Sequence, residues 1–294
     1  MLMIYVGTCG FSYKDWVGPF YPPKTKPVEM LSYYARSFTA VEIDSSYYGV
    51  PARGTVESMA GRTPAQFRFS FKLPQTITHP PPPAYSGAIH ADAAALLDSI
   101  APMASAGKLA CVLAQFPNAF KPASETEAYV RRVVETFAGV PVVIEFRNRL
   151  WQRPETIDLL RALGASYSNV DMPRLEGLLG PSSDATGEVG YVRFHGRNGA
   201  AWWRGSNRTR YDYSYAIDEL LPWTARIAEI EAQTHDTYVF FNNHANGQAP
   251  RNAETIVALL DARYGQDAPE FVARPDPCAG VNPYQVTLPG MPDA

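Results

Sequence analysis

The amino-acid sequence predicts an α/β protein: a single (β/α)8 barrel over residues 1–267, followed by an extended, proline-rich tail over 268–294. Three observations predict it. Eight segments with strand periodicity alternate with seven or eight of helical periodicity. The strand segments are two-faced, and one apolar face per strand suits packing against a jacket of helices. The length of 294 residues accommodates a barrel of roughly 250 residues and a tail. A doubly wound open sheet is the alternative, but neither GxGxxG nor a P-loop pattern supports it.

The elements follow in order. Ile4–Cys9 reads as a strand and runs into the aromatic loop GFSYKDWVGPFYPP; Val28–Phe38 has helical spacing. Ala40–Asp44 alternates, with Val41 and Ile43 on one face and Glu42 and Asp44 on the other. Arg53–Gly61 is a short helix. Phe67–Lys72 alternates most strongly: Phe67, Phe69 and Phe71 oppose Arg68, Ser70 and Lys72. The prolines of LPQTITHPPPP exclude helix and central strand there. An alanine-rich helix over Ala88–Met103 precedes the apolar strand Leu109–Phe116. Ser124, with Glu127 three residues on, predicts the N-cap of a helix to Phe137. Val142–Arg147 turns Val143, Glu145 and Arg147 to one face. Pro154 opens a helix to Leu163. A weaker strand, Ser166–Val170, is followed by loop through Glu188, with at most one helical turn at Leu175–Leu179. Tyr191–Arg197 (YVRFHGR) places Tyr191, Arg193 and His195 opposite Val192 and Phe194. A basic loop, a helix over Ser214–Thr234, a strand over Thr237–Asn242 and a helix over Asn252–Tyr264 complete the barrel.

Composition bounds the function. A net charge of −3 argues against wholesale binding to nucleic acid or an anionic membrane, though not against a local basic patch. Three widely spaced cysteines without CxxC exclude a disulfide framework and a thiolate zinc cluster. No basic region precedes the first apolar residues, and no apolar run approaches the roughly 18 residues of a spanning helix. A bacterial cytoplasmic protein is expected.

The motifs GTCGFSYKDWVGPFYP, VEIDSSYYGVP, FRFSFKLPQTITH, LAQFP, VVIEFRNRLW, YVRFHG and FFNNHANGQAPRNA together resemble the YecE-like family, domain of unknown function 72, across residues 4–260. The resemblance implies a TIM-barrel-like fold and supplies no reaction.

In a barrel, inward charged residues gather at the C-terminal mouth. Lys72, Arg147, Arg193 and His195 then form an anion pocket, with Arg197 beside them; the competing reading is internal pairing with Glu42, Asp44 and Glu145. Glu42 and Glu145 are candidates for acid and base, with His195 or His79 as proton donor. With Asp171 and His195 they also make a divalent-metal set, but the neighbouring arginines would repel a cation and no HExxH is present, so no metal or cofactor is expected. The loop Gly196–Tyr211 carries Arg197, Arg204, Arg208 and Arg210 with Trp202 and Trp203 and suits either a nucleic-acid strand or a lid. Tyr13, Trp16, Tyr47, Tyr48 and Trp151 are candidate pocket walls, and Asn242 a hydrogen-bonding group. The tail segment QVTL, Gln285–Leu288, loosely resembles a sliding-clamp-binding peptide. The expected function is a hydrolase or isomerase of a phosphate-bearing or nucleotide-like substrate; the alternative is a non-catalytic module for single-stranded nucleic acid.

Overall fold

A computed structural model describes residues 3–79 and 89–275. Its elements run β1 (Met3–Cys9), α1 (Pro27–Tyr34), β2 (Ala40–Ile43), α2 (Arg53–Gly61), β3 (Arg68–Lys72), α3 (Gln75–Thr78), α4 (His90–Ser105), β4 (Leu109–Gln115), α5 (Ser124–Thr136), β5 (Val142–Glu145), α6 (Pro154–Leu163), β6 (Ser166–Asp171), β7 (Val189–Phe194), α7 (Asn207–Arg210), α8 (Ile217–Glu231), β8 (Asp236–Phe241), α9 (Gln248–Tyr264) and α10 (Ala268–Phe271). The eight strands are parallel, pair in chain order and close β8 onto β1.

Two apolar layers result from the alternation. The outward set, including Val41, Phe69, Phe71, Ile144, Val192 and Phe241, joins the helices in one continuous core. The inward set is smaller and includes Tyr5, Cys111, Leu113, Val143, Tyr191 and Phe240. Three fully or nearly fully buried tryptophans tie the mouth loops and α8 down through their indole N–H groups. Trp16 donates to His244 O (2.6 Å), Trp151 to Phe120 O (2.7 Å) and Trp223 to the Asp171 carboxylate (2.9 Å). Each such group would be costly to bury without its acceptor. At Gly7 the side chain must be hydrogen: a Cβ would sit 1.9 Å from Ala40 O and 2.8 Å from the Tyr34 hydroxyl, which accepts from Thr8 N and donates to Ala40 O.

Several expectations are corrected. Gln75–Thr78 is a helical turn despite the nearby prolines, since Pro74 precedes it and the next proline lies beyond it. The N-cap of α5 is Ala123, whose N–H is taken by Thr126 Oγ1 at 2.9 Å, so Ser124 is the first helical residue. No helix forms at Leu175–Leu179; the segment is a turn. Helix α9 starts at Gln248, a turn earlier than expected, because Pro250 falls in its first turn where no N–H is needed. Residues 268–275, expected to begin the tail, include α10, and Val272 and Ala273 lie against Ile4 of β1. The PPPP run, Cys278 and QVTL lie outside the described residues. Among the described residues, no helix is long and apolar enough to cross a membrane.

Candidate functional site

Arg193 reaches from β7 across the barrel interior. Its Nη1 donates to Glu145 Oε2 of β5 (2.7 Å) and its Nη2 to Glu42 Oε1 of β2 (2.5 Å). All three side chains are fully buried. Tyr191, one inward position below, donates to the other Glu42 oxygen at 2.6 Å and is itself linked to Ser70 at 2.8 Å. The second Glu145 oxygen has Arg147 Nε at 2.5 Å and His195 Nε2 at 3.2 Å, yet neither contact has hydrogen-bond geometry. Those atoms are held by charge and packing. Above them, Lys72 Nζ lies 3.8 Å from Asp44 Oδ1. Glu42, Asp44 and Glu145 are thus matched by Lys72, Arg147 and Arg193.

The balance shows in protonation. Burial alone would raise the Glu145 carboxyl, but Arg147 and Arg193 hold it well below the usual range. Burial pushes Glu42 up to about 7; Arg193 opposes this and Asp44 adds to it. Burial and the Arg147 charge take His195 down to about 3, so its ring is neutral at pH 7. Asn242 Nδ2 lies 3.0 Å from His195 Nδ1; with the amide as donor, the imidazole proton sits on Nε2, facing Glu145. His79 is also neutral, brought down to about 4 by burial with Lys72 and Arg147 behind it.

Over this layer opens a cavity of about 640 Å³, formed by the segments that follow the strands. Its charged lining is Asp44, Lys72, Arg147 and Arg210. Lys72 Nζ sits 4.5 Å over the Tyr47 ring and the Arg147 guanidinium 6.0 Å from Trp202. Tyr13 stacks on His244 at 4.8 Å, and the His79 ring stands edge-on to Tyr47 at 5.2 Å. Amides of Gln115, Asn118 and Asn242 complete the polar part.

The predicted residues therefore divide. Lys72, Arg147, His79, Tyr13, Tyr47 and Asn242 line the cavity. Glu42, Glu145, Arg193 and His195 are brought together beneath it, fully buried. Three lie elsewhere. Trp16 and Trp151 are buried anchors rather than pocket walls, and Arg197 grips Asp171 through two hydrogen bonds (2.8 and 2.7 Å) and Glu219 through a third (2.9 Å). Asp171, offered as a metal ligand, faces outward to Tyr215, Trp223 and Arg197, so the set with Glu42, Glu145 and His195 does not assemble. A different group, Cys9, Glu42 and Asp44, brings ligand atoms within 4.8 Å of one another. Arg193 Nη2 lies 3.4, 2.5 and 3.6 Å from those three residues and takes the place of a cation. Residues the sequence did not single out include Tyr211, Asn118, Gln75 and His244. The signal for His244 is its place in the motif FFNNHANGQAPRNA, two residues after Asn242.

Residues 5–275 match the model of a family described as "Protein of unknown function DUF72". The UPF0759 protein YunF of Bacillus subtilis (strain 168) is 36% identical over 284 residues, 91% of this chain and 98% of that protein. A crystal structure of a DUF72 family protein from Thermotoga maritima MSB8 superposes with a TM-score of 0.82 at 35% identity, covering 88% of this chain and 99% of that one. Another from Enterococcus faecalis V583 gives 0.78 at 27% identity, covering 88% and 96%.

Proposed function

The chain belongs to the DUF72 family, and for this member we propose an enzyme that acts at the barrel mouth on a small phosphate-bearing or nucleotide-like substrate. One observation carries the reading: Lys72, Arg147 and Arg210 share a single aromatic-walled cavity with one carboxylate, Asp44. Those three cations outnumber Asp44, and His79, neutral at pH 7, adds no charge. The volume of about 640 Å³ suits one small ligand, within the roughly 300–1,000 Å³ of such sites.

In this reading Lys72, Arg147 and Arg210 take the phosphate, Tyr47, Trp202 and Tyr211 flank a planar group, and Asn242 and Gln115 orient it. His79, a neutral imidazole at pH 7, accepts or donates the proton of a hydrolysis or isomerisation. Glu42 and Glu145 are positioning residues: Glu145 fixes Arg147 through its ionised carboxylate, and both hold Arg193. Titration calorimetry tests the binding half. A nucleoside 5′-monophosphate should bind at least about tenfold tighter than its nucleoside, and Lys72→Ala or Arg147→Ala should remove that difference. Equal affinity for the two compounds would sink the reading. On any turnover found, His79→Asn should lower the rate and leave affinity in place.

A further inference from the structure

The mouth end of the barrel differs from the rest of the surface in two independent ways. The first is charge. The segments that follow the strands (10–26, 44–52, 73–79, 116–123, 146–153, 172–179, 195–216 and 242–247) hold twelve Lys and Arg against four Asp and Glu; Arg147, Arg153 and Arg197 are paired with carboxylates outside them, and the other nine still outnumber the four acids. The whole chain is at −3, so positive charge is concentrated at this end and the remainder is strongly acidic. The second is apolar exposure. Among the described residues the exposed large hydrophobics are Val28, Tyr48, Leu150, Trp203, Ile217 and Leu221. All lie in those segments or in the first two turns of a helix that follows one. Tyr48, 74% exposed, and Trp203, 53% exposed, both also line the cavity, so they stand at its opening. Arg204 and Arg208 are exposed beside Trp203, and Arg210 continues the row into the cavity.

We propose that the ligand of the cavity is one nucleotide of a single-stranded nucleic acid, whose neighbouring nucleotides lie across the rim on Tyr48, Trp203, Arg204 and Arg208. The inference rests on the cavity reading above and adds the strand. Charge complementarity commits the surface to a polyanion. Exposed rings interleaved with arginines favour unstacked bases, which every single strand offers and a duplex does not. Phosphates outside the cavity fall to the two exposed arginines; the phosphate inside falls to the cavity cations.

Fluorescence anisotropy with a labelled oligothymidylate of about 12 nucleotides tests the strand, and calorimetry with thymidine 5′-monophosphate tests the cavity. The oligonucleotide should bind at least about tenfold tighter than the mononucleotide, with a log–log salt slope of about −2 for three phosphates. Trp203→Ala should cost the oligonucleotide about tenfold. The double variant Arg204→Glu/Arg208→Glu, outside the cavity, should abolish that advantage and leave thymidine 5′-monophosphate unaffected. An oligonucleotide that binds no better than the mononucleotide overturns the strand and leaves the cavity reading standing. So does equal affinity for a duplex of the same length, or an undiminished oligonucleotide affinity in the double variant. Failure of thymidine 5′-monophosphate to bind overturns both.

Discussion

Arg193 and Arg147 sit on neighbouring levels of one barrel, and both contact Glu145, yet their situations are opposite. Arg193 is fully buried, and its two terminal nitrogens each meet a carboxylate. Arg147 touches Glu145 only through Nε, and its head opens onto the cavity. The lower layer has two carboxylates for Arg193 and draws on Arg147 to offset Glu145, so it keeps nothing for a ligand. In the upper layer Lys72 offsets Asp44, and Arg210 is the surplus that an anion would neutralise. The difference teaches that charge count alone does not say what a cluster does: the same residue types are tied to one another at one depth and line an open cavity above it.

The largest expected effect falls on the strut. Arg193→Met leaves Glu42 and Glu145 buried without their shared partner, and breaking a buried pair in this way costs about 3–5 kcal/mol. Urea unfolding would read it. Adding Glu42→Gln and Glu145→Gln to the same chain should recover much of the loss, because the stranded charges are gone. A loss under about 1 kcal/mol from Arg193→Met would erase the distinction between the two layers.

A smaller effect concerns pH. Glu42, raised to about 7 in the folded protein, contributes stability that is full below the ordinary carboxylate value and is lost as pH rises toward 7. His195, lowered to about 3, has the opposite sign: its contribution is full above the ordinary imidazole value and is lost as pH falls toward 3. The two largely cancel between pH 5 and 6.5 in the native chain. Glu42→Gln removes one of them, so its unfolding free energy should climb more steeply over that interval than the native protein's. Parallel profiles would mean that Glu42 is ionised throughout, with Arg193 outweighing burial.

Arg197 ranks next. Asp171 keeps Tyr215 and Trp223 as donors when the guanidinium is removed, so Arg197→Ala should cost about 1–3 kcal/mol. Nucleotide affinity should stay within about twofold, since Arg197 makes its hydrogen bonds to Asp171 and Glu219, away from the cavity. A tenfold loss of affinity would put Arg197 back at the site.

These contrasts also mark how far the sequence could be read. Alternation assigns faces, and it correctly turned Glu42, Lys72, Glu145 and Arg193 inward. It has a period of two and carries no information about depth. Glu42 and Asp44 share a face, as do Glu145 and Arg147, yet in each pair the first lies under the floor and the second lines the cavity. Depth is set by the stagger between neighbouring strands, which the pairings Cys9 with Glu42, Gln115 with Glu145 and Val170 with Arg193 fix only once the barrel closes. Tyr211 and His244 were missed for a second reason. They lie on loops, where no periodicity reports which way a side chain turns. Arg197 departs from the expected place because the motif YVRFHGR reads as one alternating strand, whereas β7 ends at Phe194 and Gly196 adopts φ +81°. That turn breaks the alternation and sends Arg197 out to Asp171.

Lys72→Ala should have the smallest effect on stability and the sharpest on ligand. Lys72 is 3.8 Å from Asp44 and rests on the Tyr47 ring, a loose pair beside solvent, so its loss should cost about 1 kcal/mol or less in urea unfolding. The Asp44 carboxylate, which Lys72 helps keep ionised against burial, then stands without that cation, and wherever it stays charged it repels an anion. Phosphate affinity should fall through both the lost cation and the uncompensated carboxylate. Lys72→Ala/Asp44→Asn separates them, because it restores the balance without restoring the ammonium. If the double variant regains part of the affinity, the surplus of positive charge is what the cavity offers a phosphate. If it regains none, the ammonium acts by direct contact, and the upper layer is as specifically bonded as the lower one.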